Sequence, residues 1–168
     1  MTVDLMAKAC LSLLLIGAAA HDVLTLRIPD RLNLVIAAVF VPFAALQGLS
    51  ADMLIQHVAA GVLLFGVALA LALLGQLGGG DVKLLGAIGL WLGFGPVLLE
   101  FVSSAAAFSV LLVAMVVGLR LLRLPLPLFV LSIDWVDEAV RGRGALRKLQ
   151  APYGVPLALA ALTAIWSV

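Results

Sequence analysis

Cysteine, histidine and charge are all scarce in this 168-residue chain. The one cysteine, Cys10, lies in an apolar stretch, which excludes any CxxC metal or redox framework. The two histidines, His21 and His57, have no second His or Cys at ligand spacing, so neither a metal site nor a cofactor is expected. Only 11% of residues are charged and the net charge is +1, which leaves no basic footprint for nucleic acid. A glycine run is present, but it lacks the spacing and the Lys-Ser/Thr ending of a phosphate-binding loop. No GxSG-like serine nucleophile occurs either.

What the chain has in abundance is apolar surface. It is 65% hydrophobic, with a mean hydropathy of +1.27. A soluble domain of this length cannot hide so much, so the solvent is lipid. Lipid admits helices or closed barrels, and the apolar runs are continuous rather than alternating. The expected fold is therefore an all-α polytopic membrane protein, one domain over residues 1–168. Its six spans are Leu5–Ala20, Leu32–Leu46, Leu54–Leu74, Val82–Phe94, Val97–Leu119 and Pro152–Trp166. The first could pass for a cleavable signal peptide, but Asp4 offsets Lys8 and a polar, motif-like stretch follows at once, so a retained span is preferred.

Six spans put nine of the ten basic residues on one side of the membrane. Arg27 and Arg31 follow span one, Lys83 opens span four, and Arg120, Arg123, Arg141, Arg143, Arg147 and Lys148 follow span five. The positive-inside rule then predicts cytoplasmic basic loops and both termini outside. Span four, 13 residues long, covers only about 20 Å at ~1.5 Å per residue. Either the bilayer thins around it, or the segment before it lies in a protein-lined or wet pocket below the headgroups. Between spans five and six, residues 125–149 place acids early and bases late, with Ser132 as a cap, which suits an interfacial amphipathic helix as well as a solvated loop.

Three acids stand near hydrocarbon on the basic side: Asp22, Asp30 and Asp81. Asp22 closes span one, after a run of small residues, Gly17 to Ala20, that lets another helix approach. If span one continues for another turn, Asp22 lies at the depth of Asp81, which opens span four. Two carboxyls brought face to face share protons and titrate as a unit, the arrangement that lets aspartic proteases activate water. Plainer readings stand beside this one: Asp81 as an N-cap of span four, and Asp22 as an interfacial acid near Arg27. The glycines tip the balance. A cap has no use for Gly78, Gly79 and Gly80, whereas a site that admits a peptide backbone beside its acid does.

At these residues the chain resembles a known family. "GGGDVK" resembles the GxGD signature of intramembrane aspartic proteases, through Gly78, Gly80 and Asp81, with Lys83 two positions on. "DVLTLRIPDRLN" resembles the other signature of type IV prepilin peptidases, through Asp22, Arg27, Ile28 and Pro29. Asp30 stands where that family usually has Asn. "APYGVP" resembles the stretch that opens the family's last span, through Pro152, Tyr153, Gly154 and Pro156. The Tyr-Asp and Pro-Ala-Leu elements of presenilin-like proteases are absent.

The resemblance implies an aspartic endopeptidase that removes prepilin leader peptides at the cytoplasmic face of the bacterial inner membrane. Asp22 and Asp81 would be catalytic, and Gly78, Gly80, Lys83, Arg27, Pro29, Pro152, Tyr153 and Gly154 would shape the site. The expected partners are a prepilin or pseudopilin substrate and membrane lipid. The paired-CxxC methyltransferase region of the larger, bifunctional members is not in this sequence, so it looks like the short form associated with Tad/Flp-type pili. The rival reading is a small proton-coupled transporter or assembly subunit that uses the two acids as a relay. An internal repeat of interrupted helices, which would favour a transporter, is missing from the sequence.

Overall fold

The computed structural model describes residues 2–122 and 152–167. The described residues form six helices and no strand. They are α1 (Thr2–Thr25), α2 (Asp30–Leu46), α3 (Ala51–Leu73), α4 (Gly79–Leu92), α5 (Pro96–Leu122) and α6 (Gly154–Trp166). Each coincides with one expected span, with ends that differ by up to about a turn and a half. α1 runs five residues past Ala20, which carries Asp22 inside the helix. Three helices are long and apolar enough to cross a membrane: Val3–Thr25, Ala51–Leu73 and Pro96–Leu119. α2, α4 and α6 are shorter, at 17, 14 and 13 residues. The amphipathic segment expected at 125–149 lies outside the described residues.

Helix length and burial run in opposite directions, and this arrangement sets the site. The long helices are outermost: only 22%, 17% and 11% of their most apolar windows are buried. Leu13, Leu73, Leu99 and Leu111 project outward from them, as lipid-facing side chains should. The short α4 is central, packing on α3 and α2 and touching α5 and α6. α6 is wedged between α1 and α5. Small side chains permit this crowding. Ala158, Ala160, Ala161 and Ala164 of α6 are buried. Gly89 of α4 sits so close to α3 that an added Cβ would lie 2.7 Å from the Ala60 carbonyl oxygen. In the small-residue run of α1, Ala18 is buried, whereas Gly17 faces open space.

Two ring N–H groups inside the bundle tie helices together, a pairing that low dielectric favours. The Trp91 indole N–H donates to the Ile36 carbonyl at 2.7 Å, tying α4 to α2. His57 Nδ1 donates to the Leu90 carbonyl at 2.9 Å, tying α3 to α4. His57 thus serves as a donor between two helices. Among the described residues no group of three or more His, Cys, Asp or Glu side chains could hold a metal ion.

Candidate active site

The chain reverses sharply after Asp22. Leu26 closes α1 with a left-handed backbone, φ 52°, and its N–H still reaches the Asp22 carbonyl at 2.8 Å. A side chain with a Cβ adopts that region at a cost, and only where its surroundings over-determine it. Here they do. His21 Nδ1 donates to the Arg27 carbonyl at 2.7 Å, and the Thr25 hydroxyl donates to the His21 carbonyl at 2.9 Å. Pro29 then caps α2 in an extended conformation. The reversal brings Ile28 back over the end of α1 and buries it.

Ile28 is where the three sequence motifs meet. A Cβ at Gly80 would stand 3.0 to 3.2 Å from the Ile28 backbone O and N, and one at Gly154 would stand 2.8 Å from Ile28 Cδ1. The same Gly154 Cβ would stand 2.8 Å from Asp22 Oδ2. Glycine at 80 and 154 is thus a matter of close approach: the loop after α1 is clasped between the starts of α4 and α6.

Asp22 and Asp81 are both buried, 4% and 8% exposed. The Gly154 N–H donates to Asp22 Oδ2 at 2.7 Å, and the Gly78 N–H donates to Asp81 Oδ2 at 3.2 Å. Among the described residues no hydrogen bond reaches Oδ1 of either acid. Asp81 is not the N-cap of α4. Gly78 holds that position, and Asp81, three residues on, reaches back to its N–H. This is the carboxylate half of a capping box, because Gly78 has no side chain to supply the other half.

Both aspartates line one cavity of about 610 Å³, together with Thr25, Leu26, Arg27, Gly75, Gln76, Leu77, Gly78 and Tyr153. No hydrogen bond joins the two carboxyls, which share this cavity's wall. Of the expected site residues, Asp22, Asp81, Arg27, Gly78 and Tyr153 therefore share the cavity wall. Gly80 and Gly154 stand behind it, and Pro29 and Pro152 shape the turns that lead into α2 and α6. Lys83 points elsewhere. It forms an ion pair with Asp30, joining the first turns of α2 and α4 outside the cavity. The acid that replaces the family's usual Asn at position 30 is the partner of that lysine.

Sequence reasoning passed over two residues. His21 holds the reversal after α1, and nothing in the pattern marked it beyond its place beside Asp22. Asn33 is 4% exposed and donates from Nδ2 to the Gly80 carbonyl at 3.0 Å. A lone amide one turn into an apolar helix was the available signal.

An all-helical membrane protein that keeps two buried carboxylates on the wall of one cavity is the class these observations define. The type IV leader peptidase family matches residues 9–122, more than half of the chain, and the chain belongs to that family. Its activity class is accordingly that of a peptidase. No curated protein and no solved structure matches in the corresponding comparisons. The family match ends before α6, yet α6 supplies the Gly154 N–H to Asp22.

Proposed function

We propose that this chain is an aspartic endopeptidase that removes the leader peptide from type IV, Flp-like prepilins, with Asp22 and Asp81 as its catalytic pair. The observation that carries the reading is the pair itself. Two buried carboxylates from separate helices line one cavity, each steadied through one oxygen by a backbone N–H and each with its other oxygen unbonded.

A water held between the two Oδ1 atoms performs the reaction. The ionised carboxylate takes a proton from the water as its oxygen adds to the scissile carbonyl carbon, while the protonated partner donates to the carbonyl oxygen. A tetrahedral diol results. Its collapse breaks the C–N bond, and a carboxyl proton goes to the departing amine. No metal, nucleotide or covalent intermediate takes part. Arg27, exposed on the cavity rim, suits an acidic group near the cut. The cavity faces the cytoplasm at the bacterial inner membrane with both termini outside, a reading supported by the one-sided basic residues.

Purified protein mixed with a candidate Flp-type prepilin in detergent tests the reading by mass. The expected result is loss of the leader's mass and appearance of the mature chain. An unchanged prepilin mass at enzyme excess, across prepilins with and without an acidic residue near the cut, contradicts it.

A further inference from the structure

A second cavity, of about 560 Å³, opens between α2, α3 and α4 and shares no lining residue with the first. Its wall is mostly apolar, with Leu34, Ala37, Val58, Val62, Phe65 and Leu90 contributing, and its polar members are Asn33 and the ion-paired Asp30 and Lys83. Among the described residues, Asn33 Oδ1 is the one side-chain oxygen or nitrogen that is itself fully shielded from solvent and lacks a hydrogen-bond partner. Its orientation is determined, because the amide nitrogen is committed to the Gly80 carbonyl and a flipped amide would set two acceptors together. A buried, unpaired acceptor is expensive and calls for an explanation. The atom is shielded from water, so its donor has to arrive with an occupant that parts the apolar lining.

The occupant must be apolar along its length and must carry an N–H. A lipid acyl chain meets the first demand and fails the second. An apolar stretch of peptide meets both. Gly80 links the groove to the catalytic cavity, since its carbonyl is held by Asn33 and the next residue is Asp81. Beside it, no atom of the described residues lies within 4 Å of where a Cβ at Gly79 would stand. A peptide lying in the groove can therefore round the start of α4 and reach Asp81.

We propose that the groove between α2, α3 and α4 receives the apolar segment of the peptide substrate, with Asn33 Oδ1 accepting a backbone N–H from it. This rests on the peptidase reading above and names where that substrate lies. Asn33 is thereby both a binding residue and, through Gly80, a positioning residue for Asp81.

Photo-crosslinking tests it with the full chain in membranes. A p-benzoylphenylalanine replaces Leu34 or Val62, both lipid-facing at 68% and 66% exposed, in an Asp81→Asn background co-expressed with prepilin. The same probe at Leu13 and Leu111 reports on remote lipid-facing surfaces. Prepilin adducts at 34 and 62, mapped to its apolar segment and absent at 13 and 111, are expected. Adducts spread evenly over the four sites, or lipid adducts alone at 34 and 62, overturn the proposal. As a second readout, Val62→Trp in the otherwise unaltered enzyme is expected to raise KM roughly tenfold with kcat held, the signature of lost substrate binding. Unaltered KM counts against the groove. If the unaltered enzyme leaves prepilin uncut, the peptidase reading fails; if it cleaves prepilin while adducts avoid 34 and 62, only the groove fails.

Discussion

Two carboxylates in an apolar bundle cost stability unless something steadies them, and here each is steadied by a single backbone N–H. The donors are glycine amides, and at Gly154 a side chain would not fit, whereas a Cβ at Gly78 would meet only the Asp81 carboxylate, at 3.1 Å. Gly154→Ala is expected to drive a methyl group against Asp22 Oδ2 and Ile28, with overpacking of about 1–3 kcal/mol and a large loss of cleavage. Gly66→Ala on α3, where a Cβ meets open space, is expected to be neutral or slightly stabilising, by up to about 1 kcal/mol. Cleavage rate and detergent melting temperature of the two variants check this contrast; equal behaviour would show that close approach at Gly154 is unimportant. The acids were legible in the sequence because carboxylates are costly in lipid, and the glycines because a run of three beside such an acid costs backbone entropy. Asn33 and His21 were not, because an amide or imidazole in a helix has no fixed meaning until its partner, here a distant or reversed carbonyl, is known.

Element by element, the apolar runs located the helices well, because lipid forces each run to satisfy its backbone internally. Their ends were less legible. α1 continues through His21 and Asp22 because its last turn keeps i to i−4 bonds up to Leu26, a polar stretch that hydropathy alone cuts short. The packing order was not legible at all. That α4 should be central follows from its shortness only once α3 and α5 are seen outside it. The α3–α4 contact is the tightest test of that centre. Gly89→Ala would bring a Cβ to 2.7 Å from a backbone oxygen, which cannot yield as a flexible side chain would. A melting temperature several degrees below the parent's is expected, in line with an overpacking cost of about 1–3 kcal/mol. A parental melting temperature would mean that α3 and α4 separate freely. The Asp30–Lys83 pair at the start of the same helix is exposed and is worth about 0–1 kcal/mol. Its place is to join α2 and α4 beside Asp81, not to hold the bundle together.

For the whole molecule, the one-sided basic residues and the two ends of α3 give a direct check on orientation. Ser50 caps the start of α3, and Gln76, just past its other end, lines the acidic cavity. In a Cys10→Ala background, Ser50→Cys is expected to react with an impermeant thiol reagent added to intact cells. Gln76→Cys is expected to react only after the membrane is opened. The reverse pattern would place the acidic cavity outside.

Cleavage by asparagine variants bears most directly on the catalytic pair. Asp22→Asn and Asp81→Asn keep the shape of the side chain and the carbonyl oxygen that can accept from Gly154 or Gly78, so the fold is retained. Neither asparagine can take or give the catalytic proton. Each variant, at parental abundance and melting temperature, is therefore expected to lose prepilin cleavage almost completely. The double variant should be little worse, because residues that act as a unit do not add. Asp52→Asn, in the first turn of α3, is expected to cleave at the parental rate. If either single variant, equally folded, still cleaves prepilin at a substantial fraction of the parental rate, Asp22 and Asp81 are not a catalytic pair, and the two buried acids return to the reading of a proton relay.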